Sequence, residues 1–166
     1  MSYLTELLNS THKKNEFNCG QELLDNYLHR QASQDVKRHL SACFIIADKN
    51  DNVKGYYTLS NSSIDKELIP DNIKNKLPKS YNDIPVTLLG RLARDKNIKG
   101  ERIGETLLLD ALKRSFDTSI KIGSMAVIVD PVDQDAKNFY LKYGFIELPD
   151  SEKMFMTMKT ISTLFK

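Results

Sequence analysis

The sequence predicts an α/β chain of the α+β kind, a mixed sheet flanked by helices, and three observations carry that expectation. A strand–turn–strand pattern occupies residues 42–60, and strands alternate with helices over 86–143. No repeat, linker or charge block divides the 166 residues, so one domain spanning 1–166 is expected. Strand–helix alternation requires crossover connections, which places some parallel pairing within the sheet.

The elements follow in order. Leu23, Leu24, Tyr27 and Leu28 recur at helical spacing after Gly20, and 31–40 continues or restarts that helix. The apolar run 42–47 predicts a strand, 48–52 is dense in turn formers, and 53–60 is aromatic and β-branched, which completes a hairpin. Residues 62–85 are polar, carry Pro70, Pro78 and Pro85, and read as a long functional connection with a weak helical stretch near 69–77. A third strand is predicted over 86–93. Ile103, Leu107, Leu108, Ala111, Leu112 and Phe116 then form the apolar stripe of a helix. Residues 123–129 read as a buried strand. Asp133 opens a helix that Gly144 stops, and 145–148 and 154–158 close the sheet.

Composition excludes several function classes. Lys plus Arg is 24 against 22 for Asp plus Glu, a formal net charge of +2. A chain so close to neutrality is no general polyanion coat, although a local basic face remains open to it. Two cysteines make no disulfide framework, and His12, His29 and His39 show no metal-ligand spacing, so neither a metal nor a disulfide is expected. No apolar stretch approaches the roughly 20 residues of a membrane span, and 1–17 has no signal-peptide core. A reducing, cytoplasmic setting is expected, without membrane attachment.

One segment stands out. Residues 91–104, Arg-Leu-Ala-Arg-Asp-Lys-Asn-Ile-Lys-Gly-Glu-Arg-Ile-Gly, hold five cations against two carboxylates, a net +3 that exceeds the whole chain's +2. They join the third strand to an amphipathic helix. Helix N-termini offer unpaired N–H groups and partial positive charge, so a polyphosphate ligand fits here as well as a solvated charged turn does. The segment lacks the Gly-Lys-Ser/Thr of a P-loop and the dinucleotide fingerprint.

The second half resembles the GNAT superfamily of acetyl-CoA-dependent N-acetyltransferases. Lys99-Gly-Glu-Arg-Ile-Gly104 is similar to that family's Gln/Arg-x-x-Gly-x-Gly/Ala loop, with Lys99 in place of Gln or Arg and Arg102 where glycine is preferred. Ala136-Lys-Asn-Phe-Tyr-Leu-Lys-Tyr-Gly-Phe145 is similar to the family's Ala-x-x-Phe-Tyr-x-x-x-Gly-Phe ending. Within the superfamily the chain most resembles the acetyltransferase toxins of type II toxin–antitoxin pairs. That likeness runs through Phe17-Asn-Cys-Gly20, Leu24-Asp-Asn-Tyr-Leu28, Gly55-Tyr-Tyr-Thr-Leu-Ser60, Leu88-Leu-Gly-Arg-Leu-Ala93, Leu107-Leu-Leu-Asp-Ala-Leu112 and Val129-Asp130.

The resemblance implies a GNAT fold, with a mostly antiparallel twisted sheet and one splayed parallel pair. It implies acetyl transfer from acetyl-CoA to the α-amino group of aminoacyl-tRNA, a toxin that blocks translation, a ribbon–helix–helix antitoxin and a homodimer. Tyr140 is the implied general acid or thiolate hydrogen-bond donor. Leu92, Ala93 and Arg94 would meet the pantetheine, Lys99, Gly100, Glu101, Arg102, Ile103 and Gly104 the pyrophosphate, and Asn138 the cofactor from the last helix. For tRNA phosphates the candidates are Arg91 and Arg94, then Arg30, Lys37 and Arg38. No carboxylate or histidine presents itself as a general base; Asp25, Asp130 and Asp133 read as caps. Two alternatives stay open at this point: a GNAT enzyme acting on a small amine or protein N-terminus, and a non-catalytic module binding coenzyme A or a partner.

Overall fold

In the computed structural model, which describes residues 3–98 and 102–166, the strands lie in one sheet in the order β1-β2-β3-β4-β5-β7-β6. In chain order the elements are β1 (Glu6–Leu7), α1 (Glu22–Arg30), α2 (Ala32–Lys37), β2 (Ala42–Ala47), β3 (Val53–Asp65), α3 (Asp71–Lys74), β4 (Asp83–Arg94) and α4 (Ile103–Ser119). They continue with β5 (Ala126–Val129), α5 (Gln134–Lys142), β6 (Ile146–Glu147), β7 (Met154–Thr157) and α6 (Met158–Leu164). β1–β2, β2–β3, β5–β7 and β6–β7 pair antiparallel. β4 and β5 pair parallel at Thr87 with Val127 and Leu88 with Ile128, and β4 runs on to Arg94. The mixed, mostly antiparallel sheet with one parallel pair is the expected one.

The chain divides into two compact units. The first comprises Met1–Ser60 and Leu89–Arg114. Its core gathers Leu8, Phe17, Tyr27, Leu28, Ala32, Cys43, Ile45, Val53, Tyr56 and Ala93. α4 lies directly on β3 at Gly55, where a Cβ would stand 2.9 Å from Leu107 Cδ1 and 3.4 Å from Ile103 Cγ2. A polar network ties the residues just before β1 to α4. Asp110 accepts from Leu4 N at 2.8 Å, Thr5 Oγ1 at 2.5 Å and Tyr57 Oη at 2.7 Å. Arg114 donates from Nε to Tyr57 Oη at 3.0 Å and from Nη2 to the Thr5 carbonyl at 3.2 Å, with its guanidinium over the rings of Tyr3 and Phe44.

The second unit comprises Asn61–Leu88 and Ser115–Lys166. Its core is apolar: Ile64, Ile69, Ile84, Val86, Ala126, Ile128, Leu148 and Phe155. β5 shows four buried residues in a row, as a strand covered on both faces requires.

Several boundaries differ from expectation. β3 extends five residues beyond Ser60, because 61–65 alternates in burial and seats Ile64 in the core. With β4 beginning at Asp83, the long connection shrinks and is filled by a 3-10 turn at Lys66–Leu68, capped by the Asp65 carboxylate, and by α3. β5 starts at Ala126 rather than Gly123; Ser124 instead exchanges a hydroxyl hydrogen bond with Thr87 at 2.8 Å. β1 and α6 had no sequence forecast. The former is two residues long, and the latter is rich in Thr and Ser, which disfavour helix interiors.

Candidate active site

The predicted cofactor strand is the end of β4. Ala93 is buried, Leu92 half-buried, and Arg94 is exposed, donating from Nη1 to the Ile98 carbonyl at 2.6 Å. What fixes this strand end is Asp95, 2% exposed, a residue the sequence reading passed over. Its carboxylate accepts from Asn18 N at 3.2 Å and Asn97 N at 2.9 Å, while Lys96 N donates to the Asn18 carbonyl at 2.8 Å. Asn18 Oδ1 in turn accepts from Gly20 N, and Gly20 stands at φ +91°, a left-handed backbone that favours glycine. Asp25 accepts from Cys19 N at 2.9 Å, so it caps this turn as expected. The Phe17-Asn-Cys-Gly20 run is therefore a staple that holds the end of β4.

Lys99, Gly100 and Glu101 lie outside the described residues. Arg102 stands at φ +51°, exposed, with Nη1 3.7 Å from Glu105 Oε2. Left-handed backbone costs a residue with a Cβ about 1–2 kcal/mol, which gives a backbone reason for a glycine preference at this position. Ile103 and Gly104 open α4.

Arg91 is placed differently from Arg94. Its guanidinium carbon lies 3.5 Å from the centroid of the Tyr27 ring. Tyr27 donates its hydroxyl to Asp35 Oδ2 at 2.8 Å and stacks on Tyr56 at 6.2 Å between centroids. Tyr56 donates to the Leu24 carbonyl at 2.7 Å and receives the edge of Phe17 at 5.6 Å. Sequence reading treated Tyr27 as part of an apolar stripe and did not single out Asp35. Arg30, Lys37 and Arg38 are all exposed, at the ends of α1 and α2.

In the second unit, Asp133 caps α5, accepting from Ala136 N at 2.8 Å. The helix ends in a Schellman turn. Phe145 N donates to the Tyr140 carbonyl and Gly144 N to the Leu141 carbonyl, both at 3.1 Å, with Gly144 at φ +101°. The apolar contact that accompanies such turns joins Phe145 to Tyr140, their centroids 5.2 Å apart. So the spacing Tyr-x-x-x-Gly-Phe is a helix stop that fixes the Tyr140 ring. Phe139 packs edge-on to Tyr140 at 5.4 Å. The Tyr140 hydroxyl forms no hydrogen bond among the described residues, and the residue is 8% exposed. Burial pushes its phenol above the ordinary range, so it is protonated at neutral pH. Asn138 is exposed and accepts from Gln134 Nε2 at 2.9 Å, a solvated helix face. Asp130 pairs with Lys153 at 2.8 Å.

Among the described residues no cluster of His, Cys, Asp and Glu is placed to hold a metal, and no helix is long and apolar enough to cross a membrane.

The fold is that of the acetyltransferase toxins, as comparison with solved structures shows. The complex of AtaT with acetyl-methionyl-tRNAfMet superposes at a TM-score of 0.90 with 27% identity, covering 99% of this chain and 100% of that one. A mutant AtaT toxin, bound to the C-terminus of the antitoxin AtaR and acetyl-CoA, gives 0.82 and 26% over 98% and 97%. No protein-family model matches the chain. A tRNA-acetylating toxin of Mycobacterium tuberculosis (strain ATCC 25618 / H37Rv) is 30% identical over 149 residues, 89% of this chain and 87% of that protein. The chain belongs to the family of tRNA-acetylating toxins.

Proposed function

We propose that this chain transfers the acetyl group of acetyl-CoA to the α-amino group of an aminoacyl-tRNA and so acts as a toxin that blocks translation. Its relatives carry the acceptor: one is named for acetylating tRNA, and another was captured with acetylated methionyl-tRNA. One observation carries the chemistry, the buried and protonated phenol of Tyr140, without a hydrogen-bond partner among the described residues.

The neutral amine attacks the thioester carbonyl, the C–N bond forms, and the C–S bond breaks to release a thiolate. Tyr140 donates a hydrogen bond to that sulfur. Because burial makes the phenolate costly, Tyr140 stabilises the thiolate as a donor rather than surrendering its proton fully. The proton shed by the amine leaves through water, since the α-amine of an aminoacyl ester is less basic than lysine and is partly neutral at pH 7. Backbone groups of Leu92, Ala93 and Arg94 bind the pantetheine in strand fashion, and six residues of β4 lie beyond its last pair with β5, Leu88 with Ile128. Lys99, Gly100, Glu101, Arg102, Ile103 and Gly104 receive the pyrophosphate, and Asn138 reaches the cofactor from α5. Arg91 and Arg94, then Arg30, Lys37 and Arg38, receive tRNA phosphates. An antitoxin partner is supported by a neighbour seen with its antitoxin; a ribbon–helix–helix fold for that partner, a homodimer and a cytoplasmic location complete the reading.

Purified protein, labelled acetyl-CoA and charged tRNA should yield N-acetyl-aminoacyl-tRNA. Tyr140→Phe should lower kcat by about 10²–10³-fold, the usual cost of removing one hydrogen-bond donor to developing negative charge, with little change in KM. Transfer to free amines with charged tRNA left intact would overturn the reading, as would full activity in Tyr140→Phe.

A further inference from the structure

Among the described residues, Arg91 is a half-buried arginine whose fork meets no side-chain or backbone acceptor. Arg94 donates to the Ile98 carbonyl, and Arg114 is spent on Thr5, Tyr57 and Asp110. The Arg91 guanidinium forms neither an ion pair nor a hydrogen bond among the described residues; it lies over the Tyr27 ring at 3.5 Å. A guanidinium stacked by its face keeps its N–H edge in plane and available. Leaving such a cation partly desolvated without a carboxylate is costly unless an anion arrives.

The support beneath it is unusually complete. Asp35 holds the Tyr27 hydroxyl at 2.8 Å and also accepts from Gln31 Nε2 at 3.3 Å. Tyr56 backs the Tyr27 ring, is itself held by the Leu24 carbonyl, and meets the edge of Phe17. Phe17, Tyr27, Tyr56 and Arg91 come from four separate motif runs of the sequence, and the acetyl-transfer chemistry uses none of the three aromatic residues. Their convergence makes a column that fixes one side chain at its end.

We infer that Tyr27 and Asp35 are positioning residues that hold Arg91 as a preorganised fork for a phosphate of the acceptor nucleic acid. The inference rests on the acceptor reading above and separates Arg91 from Arg94, which sequence ranked alike. Preorganisation matters because an arginine fixed beforehand loses less side-chain freedom on binding. The same chemistry could serve a phosphate of acetyl-CoA, so the test has two arms.

The experiment measures KM for charged tRNA and for acetyl-CoA separately, over a series of salt concentrations. Arg91→Ala should raise KM for charged tRNA by about 10-fold, flatten the log KM against log salt slope by about 0.7–0.9, and leave KM for acetyl-CoA within about twofold. Tyr27→Leu should reproduce part of the KM rise while retaining the slope, because the charge remains but is no longer held. Tyr27→Phe, which keeps the ring face and loses only the hydrogen bond to Asp35, should fall between the native chain and Tyr27→Leu. Binding of an uncharged acceptor-stem minihelix, followed by fluorescence anisotropy without acetyl-CoA, keeps the test independent of acetylation. A minihelix salt slope unchanged by Arg91→Ala overturns the inference even where charged tRNA is acetylated. So does a rise confined to KM for acetyl-CoA, or a Tyr27→Phe variant as impaired as Tyr27→Leu.

Discussion

The two units of this molecule are stabilised by different physics. In the first, a buried carboxylate collects hydrogen bonds from Leu4, Thr5 and Tyr57, an arginine sits over two rings, and a tyrosine column supports another arginine. In the second, the cluster around Phe155 is isoleucine, valine, alanine and leucine, and ion pairs such as Lys137 with Glu147 lie at the surface. Directional networks fail when one member is lost, because the remaining groups stay buried and unpaired. Apolar cores absorb volume-conserving exchanges with modest loss. The first unit should therefore be brittle and the second tolerant.

The largest expected effect tests that contrast directly. Asp110→Ala strands the Arg114 charge and the Thr5 and Tyr57 hydroxyls, and should cost about 3–5 kcal/mol in denaturant unfolding. Ile128→Leu, a volume-conserving exchange in the second core, should cost less than about 1.5 kcal/mol. A reversed order of these two costs breaks the comparison.

Alkali gives the next effect. Burial raises the phenols of Tyr27, Tyr56 and Tyr57 in the first unit and Tyr140 in the second, and pushes the Cys43 thiol up to about 12. A group raised on folding contributes stability that is complete below its unfolded value and fades as pH climbs through the folded one. The loss should begin near pH ~9–10, where unfolded thiols and phenols ionise, and fall hardest on the first unit. Alkylation of Cys43, fully buried at neutral pH, reports that opening. Cys19, partly exposed and pushed up to about 11, should label first. Labelling of Cys43 as fast as Cys19 at pH ~8, below the onset of that loss, would count against this.

The smallest effect concerns backbone. Arg102→Gly should raise stability by about 1 kcal/mol by relieving the left-handed strain at φ +51°. A thermal melt of the unliganded protein reads it, and a lower Tm would show that the Arg102 side chain supplies more than the strain removes.

Local rules made much of this legible. Asp133 and Gly144 marked both ends of α5, because capping depends on residues close in sequence. Tyr140 was placed by the same cap. The Asp110 network was not legible, since Thr5 lies 105 residues away and each member alone reads as an ordinary helix or strand residue. Asp95 was hidden likewise: a carboxylate inside a basic loop looks solvated until Asn18 arrives from 77 residues upstream. Arg91 and Arg94 were indistinguishable by composition. The ring of Tyr27 under Arg91 and the Ile98 carbonyl on Arg94 separate them.

The discontinuity of the first unit has a bearing on how this protein is made. Thr5 leaves the ribosome long before Asp110 and Arg114, yet the carboxylate and guanidinium that hold it belong to that distant helix. Until α4 has been synthesised, the opening residues, the tyrosine column and the end of β4 cannot be joined into a finished unit, because long-range closure must wait for its second half. For a protein of a toxin family, the order of synthesis thus makes closure of the first unit wait for α4.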